Sequence, residues 1–243
     1  MSTKARIDRL LVERGIFDSR ARAQAAIEAG LVSADGMVIR KASEKVNADA
    51  VLQANAAHPY VSRGGLKLAA ALDHFGFDPK GRVCLDVGAS AGGFTEVLLA
   101  RGAAKVYAVD VGRGQLHPSI GAWPEVVSME ATDIRSLTPT RFDPLPDLIV
   151  VDVSFISLKL VLPTALSLTK IPAQLVALVK PQFEAGRERV KKGVVRDVAI
   201  HTEIQNDLAC YVASLGWPVE GVIPSPITGG DGNVEFLLGA VHD

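Results

Sequence analysis

Apolar positions along the chain change rhythm once. Near the start they recur at helical spacing, with Ile7, Leu10 and Leu11 at i, i+3 and i+4, the pattern of a helix that buries one face. A first helix is predicted over residues 6–14, with Gly15 as its stop. A second runs from Ser19 as N-cap through residue 29, with Gly30 as its end. Residues 31–33 and 37–40 predict two strands, and Asp35-Gly36 between them predicts a tight hairpin turn. A linker is expected over residues 54–60, where Pro59 biases His58 away from helix.

Beyond residue 82 the apolar residues come in continuous runs instead, at 83–87, 106–111, 126–129, 148–153, 175–179, 219–223 and 234–241. Unbroken β-branched runs suit parallel strands covered on both faces. Helical spacing is expected at 65–75, 94–100, 158–167 and 200–215. The fold class predicted is α/β, a doubly wound Rossmann-like domain over residues 59–243 preceded by a small α+β module over residues 1–58.

Composition narrows the function classes. With 243 residues, 48% of them hydrophobic and 22% charged, the chain is long enough for a real core and is neither disordered nor fibrous. A net charge of -1 excludes a uniformly basic coat but not a local basic patch. No apolar run approaches the roughly 18 residues of a membrane-spanning helix, and the first residues lack the apolar core of a signal peptide. The two cysteines, Cys84 and Cys210, make neither a disulfide framework nor a metal-ligand spacing, and both are expected as buried thiols. The chain is expected to be soluble and cytoplasmic, with no metal.

Charge is uneven along the chain. Residues 1–22 carry six cations, Arg6, Arg14 and Arg20 among them, against three acids, and Lys41 follows the hairpin. Arginine forks suit bidentate phosphate contacts. A second run holds Arg187, Arg189 and Lys191 between Gly186 and Gly193, expected as a loop that closes over RNA.

The first strand of the larger domain ends in Asp86-Val-Gly88-Ala89-Ser90-Ala91-Gly92-Gly93-Phe94. Small residues there let backbone approach a ligand closely. The spacing is not the Gly-x-Gly-x-x-Gly of a dinucleotide site, and Asp86 better suits a ligand with positive charge than a pyrophosphate. Asp110-Val111 ends the second strand, where a carboxylate can accept from ribose hydroxyls. Asp133-Ile134 follows the third, where Asp133 can accept from an adenine amino group. Together they favour S-adenosylmethionine over a nicotinamide cofactor.

Four further charges stand out. Asp152 and Lys180 end apolar strands, Glu235 is placed within the last strand, and Lys67 begins a helix after Ser62-Arg63-Gly64-Gly65. A lysine after so apolar a run is costly unless paired or functional.

Two resemblances sharpen these expectations. Arg6-Ile-Asp-Arg-Leu-Leu-Val-Glu-Arg14-Gly15, Ser19-Arg20 and Asp35-Gly36 resemble the S-four-type RNA-binding domain over about residues 5–53. Ser62-Arg63-Gly-Gly-Leu-Lys67, Asp86-Val-Gly-Ala-Ser90, Asp110-Val-Gly112, Val151-Asp152-Val-Ser-Phe155, Lys180-Pro-Gln-Phe-Glu184 and Gly193-Val-Val-Arg-Asp197 resemble the TlyA-type haemolysin A family, almost end to end. That family is similar to the FtsJ-type ribose methyltransferases. The resemblance implies S-adenosylmethionine-dependent 2′-O-methylation of cytidine in ribosomal RNA, within subunits or ribosomes, with a Lys-Asp-Lys-Glu tetrad at Lys67, Asp152, Lys180 and Glu235. Ala91 departs from it where many relatives have Thr. The competing readings are a nicotinamide oxidoreductase, a membrane-active haemolysin and an RNA-binding assembly factor with a decayed site. Intact glycines and all four tetrad residues argue against decay.

Overall fold

The computed structural model describes residues 4–229 and 232–243, without the side chain of Arg187. Its contacts divide the chain into two compact units, Met1–Arg63 and Gly64–Asp243.

In the first unit, strand β1 (Lys4–Arg6) leads into helices α1 (Ile7–Glu13) and α2 (Arg20–Glu28). Ser19 caps α2 as predicted, its hydroxyl accepting from the Arg22 amide. Strands β2 (Val32–Ala34) and β3 (Met37–Val38) pair antiparallel across the Asp35-Gly36 turn, and both turn residues have positive φ. Three short strands were not predicted. These are β1, its antiparallel partner β4 (Lys45–Asn47), and β5 (Leu52–Ala54), which adds to the other edge of β2. A three-residue strand is too short to show alternation. Ile7, Leu11, Phe17, Ala26, Ile27 and Val32 centre the core.

The second unit opens with α3 (Gly64–Phe75), then β6 (Val83–Val87), α4 (Gly93–Ala100), β7 (Lys105–Val109), α5 (Pro118–Gly121) and β8 (Val126–Met129). It continues with β9 (Leu148–Val151), α6 (Leu158–Ser167), β10 (Ala173–Val179), α7 (Pro181–Glu184), α8 (Val198–Ser214), β11 (Val219–Pro224) and β12 (Phe236–His242). The seven strands lie in the order β11-β12-β10-β9-β6-β7-β8. β10, β9, β6, β7 and β8 run parallel. β12 inserts antiparallel between β10 and β11, an arrangement that periodicity does not carry. Side chains alternate along each strand. Leu85, Val87, Ile149 and Val151 meet α6 and α8 in one core, while α3 and α4 pack together and against β12, β10, β7 and β6.

Strands β6, β7 and β8 build outward on one side, and the chain then crosses back to lay β9 beside β6. That reversal is a topological switch point, and a crevice opens there beyond the carboxyl ends of the strands. Strand ends fall two residues short of expectation at Val109 and Val151, so Asp110 and Asp152 sit in loops at this crevice.

Candidate active site

A cavity of about 520 Å³ fills the crevice. Gly88 forms its floor. At φ 86° it lies so close to the next loop that a Cβ would sit 2.4 Å from the Asp152 carbonyl oxygen, so only glycine fits. Of the residues assigned to a cofactor, Gly88, Ser90, Asp110, Val111, Asp133 and Ile134 line this cavity. Asp110 accepts from the Ser90 amide at 2.8 Å and the Gly112 amide at 2.7 Å, which fixes its carboxylate while leaving lone pairs to accept from a ligand. Asp133 is held by Arg135 at 2.6 Å, and that hydrogen-bonded guanidinium lowers its carboxyl below the usual range. Glu130 accepts from three successive amides, Gly114, Gln115 and Leu116, and shapes the neighbouring loop.

The others do not reach the wall. Asp86 is fully buried and accepts from the Thr95 hydroxyl of α4 at 2.6 Å. Burial pushes its carboxyl up to about 7, the Thr95 hydrogen bond opposing. Its period-two position turns it to the α4 side of β6, which corrects the expectation of direct ligand contact. Ala89, Gly92, Gly93 and Phe94 form the turn into α4 rather than the cavity surface, and Phe94 packs in the core.

The tetrad residues resolve into two ion pairs. Lys67, in the first turn of α3, meets Glu235 at 2.5 Å, and both side chains are buried. Gly229 makes room for this carboxylate, because a Cβ there would lie 2.1 Å from Glu235 Oε1. Lys180 meets Asp152 Oδ1 at 2.6 Å and donates to the Ser154 hydroxyl at 2.8 Å. Glu235 is not within the last strand as expected; it immediately precedes β12. The register explains its place. Val179 of β10 pairs with Phe236 of β12, so Lys180 and Glu235 leave the sheet side by side. Asp152 leaves from β9, the neighbour of β10 on the other side. Three adjacent strands thus deliver a lysine and two carboxylates to one end of the sheet, and of the four tetrad residues Asp152 lines the cavity itself.

The cations assigned to RNA divide. In the first unit, Asp8 is fully buried and binds Arg6 at 3.0 Å and Arg20 at 2.5 Å, with Gln24 a third donor. These partners hold its carboxyl far below the usual range, against the effect of burial. Arg14 donates to the carbonyls of Ala48 and Ala50 and ties down the loop ahead of β5. Arg6, Arg14 and Arg20 are therefore partly spent within the unit, whereas Lys41 is exposed with no ion pair among the described residues. Arg63 approaches Glu28 at 4.0 Å. In the second unit Arg189 is paired with Glu203 of α8 at 2.7 Å. Lys191 is exposed in a one-residue bridge to Val194, and the Asn233 side chain donates to the Gly193 carbonyl. The side chain of Arg187 lies outside the described residues. Cys84 is buried, but Cys210 is exposed on α8, against expectation.

Several residues at the site escaped sequence reasoning. Phe155 is 91% exposed at φ 65°, lines the cavity, and sets its ring 5.0 Å from that of Phe183. A bulky side chain in left-handed backbone is strained. Glu184 accepts from Ser157 Oγ at 2.6 Å and from the Leu158 amide at 2.8 Å, fastening the start of α6 to α7. The available signal was the run Ser154-Phe155-Ile156-Ser157, an aromatic between hydroxyls that begins two residues after a strand-end acid.

Comparison with known proteins agrees with this architecture. A family model described as FtsJ-like methyltransferase matches residues 60–241, and one described as S4 domain matches residues 5–52. The chain is 45% identical to the 16S/23S rRNA (cytidine-2′-O)-methyltransferase TlyA of Mycobacterium tuberculosis, over 98% of this chain and 90% of the relative. A solved structure from Streptococcus thermophilus that carries a hemolysin name is 41% identical, with a TM-score of 0.79, covering 100% of this chain and 90% of that one. The magnesium protoporphyrin IX methyltransferase of Synechocystis, solved with bound SAH, shares the fold at a TM-score of 0.52 and 15% identity, over 74% of this chain and 82% of that one. Among the described residues no helix is long and apolar enough to cross a membrane. The chain belongs to the FtsJ-like methyltransferase family and carries an S4 domain ahead of its methyltransferase domain.

Proposed function

We propose that this chain transfers a methyl group from S-adenosylmethionine to the ribose 2′-hydroxyl of cytidine in ribosomal RNA, acting in the cytoplasm on subunits or ribosomes. The observation that carries this reading is the pair of lysine–carboxylate contacts, Lys67–Glu235 and Lys180–Asp152, at the carboxyl end of the sheet around the switch-point cavity. A nearly full-length relative named for the same reaction supports it.

The cavity suits the donor chemically. Asp110 faces it with a carboxylate oriented for a ribose diol, and Val111 and Ile134 offer apolar surface to an adenine. The Gly88 backbone permits close approach. When bound, S-adenosylmethionine supplies a methyl group already activated by a sulfonium. The protein's task is then to present a poor nucleophile in line.

Lys180 is the residue assigned to the 2′-oxygen. As an amine it takes the hydroxyl proton; as an ammonium it steadies the negative charge that develops there. Asp152 holds it, and Glu235 and Lys67 border the same oxygen. Most of the acceleration comes from positioning, because donor and acceptor are held in one geometry. The exposed ring of Phe155 offers a stacking face to an unstacked base, the usual way a single-stranded nucleotide is held. The S4 domain recognises folded RNA through exposed cations such as Lys41 and through the donors of Arg6 and Arg20 that Asp8 leaves free.

The test is direct. Labelled S-adenosylmethionine is incubated with the protein and with ribosomes or separated subunits, and ribose methylation is mapped by mass spectrometry. Label is expected on a cytidine 2′-oxygen, and Lys180→Ala is expected to abolish it while donor affinity stays within about twofold. Absence of transfer to ribosomes and to both subunits by the wild-type chain refutes the proposal.

A further inference from the structure

We infer that Ser154 is a positioning residue for Lys180, setting the direction in which the lysine nitrogen faces the reacting oxygen. The inference rests on the methyl-transfer reading above.

The geometry begins with the nitrogen itself. Beyond its bond to carbon, a lysine nitrogen has three tetrahedral positions, all N–H donors when it is charged. In this site Ser154 Oγ accepts from one of them at 2.8 Å, while Asp152 Oδ1 lies 2.6 Å from the nitrogen as an ion pair without the alignment of a hydrogen bond. One carboxylate alone would leave the nitrogen free to rotate about its bond to the side chain. The directional bond to Ser154 stops that rotation and fixes where the remaining positions point. As the 2′-oxygen bonds to the methyl carbon, the carbon–sulfur bond breaks and its electron pair stays on sulfur. A position directed in this way serves this step in either protonation state. A lone pair there accepts the hydroxyl proton, or an N–H there supports the oxyanion while the proton leaves to water.

Ser154 can direct Lys180 only if it is itself held, and the loop between β9 and α6 is anchored at both ends. The Asp152 amide donates to the Val87 carbonyl at 2.9 Å, prolonging the sheet. At the far end Glu184 accepts from Ser157 and Leu158. Between these anchors Phe155 keeps its left-handed backbone while its ring rests on Phe183. Strained backbone persists where the surroundings over-determine it. Phe183 and Glu184 belong to α7, the helix that begins directly after Lys180. The two loops are therefore fastened together at three points, and Ser154 and Lys180 form the contact nearest the cavity.

Ser154 is exposed, so its substitution leaves the core intact. The experiment compares the full-length wild type with Ser154→Ala and Ser154→Thr, measuring kcat and KM on the ribosomal substrate and donor affinity by calorimetry with S-adenosylhomocysteine. Loss of one hydrogen bond to a charged group is expected to lower kcat of Ser154→Ala about tenfold, with KM and donor affinity within about twofold. Ser154→Thr keeps the hydroxyl and is expected to recover at least half of the wild-type kcat. A kcat for Ser154→Ala within twofold of wild type overturns the inference. So does a threonine variant as slow as the alanine one, or a loss that lies wholly in donor affinity. An inactive wild-type chain removes the reading and the inference together, whereas an active wild type with an unaffected Ser154→Ala removes the inference alone.

Discussion

The buried Lys67–Glu235 pair makes stability and chemistry separable. Lys67 is 10% exposed and Glu235 3%, and the two meet at 2.5 Å with 168 residues of chain between them. Removing one member of a buried pair leaves a charge in low dielectric without compensation, at a cost of about 3–5 kcal/mol. The ammonium of Lys67 keeps some contact with water, so the lower figure applies to Lys67→Met, which preserves the length of the side chain. For a domain of this size each kcal/mol moves the midpoint by about 2–4 °C, so the transition of the larger unit is expected to fall by about 6–12 °C. Replacing both members by apolar residues, Lys67→Met with Glu235→Leu, removes the orphaned carboxylate and is expected to regain more than half of that loss. Differential scanning calorimetry reads this without reference to activity, which both variants lose if the tetrad assignment is right. A single variant melting within 2 °C of wild type would show that the pair contributes nothing net. A double variant melting no higher than the single one would locate the cost in lost packing rather than in an unpaired charge.

Two other outcomes follow from single residues. Asp86 has a folded-state pKa raised by burial to about 7, above its unfolded value. Its contribution to stability is therefore full below about pH 4 and is lost as pH rises through 7; melting curves of Asp86→Asn should gain on wild type between pH 5 and pH 8, and parallel pH dependences would contradict the assignment. Phe155→Gly relieves left-handed strain of about 1 kcal/mol, which offsets the ~0.5–1 kcal/mol that a more flexible unfolded chain costs. Its melting temperature should stay within about 2 °C of wild type while methyl transfer drops at least tenfold, and a fall in melting temperature beyond about 5 °C would make the ring a structural element instead.

Much of the larger domain was legible because buried parallel strands are written as continuous apolar runs and their helices as periodic ones. Strands β6 and β8 and helix α6 fall at the predicted residues. The acids at strand ends were legible for the same reason, since Asp110 and Asp152 mark where apolar runs stop. The smaller unit was legible only in its helices and hairpin. Its remaining strands are three residues long and owe their existence to partners 18 to 43 positions away, such as Ala5 against Val46.

Residue types and their order along the chain determine which chemistry is present here: two lysines, two carboxylates, a glycine turn and a set of arginines. Tertiary structure alone decides their partners. It inserts β12 beside β10 and so brings Glu235 next to Lys180. It joins Lys67 to Glu235 and Lys180 to Asp152 and Ser154, buries Asp86 behind α4, and commits Arg6 and Arg20 to Asp8. Local propensity is set by the nearest few residues, so it shows in the sequence. The pairing of charges depends on burial and register across distant segments, and those exist only once the chain has packed.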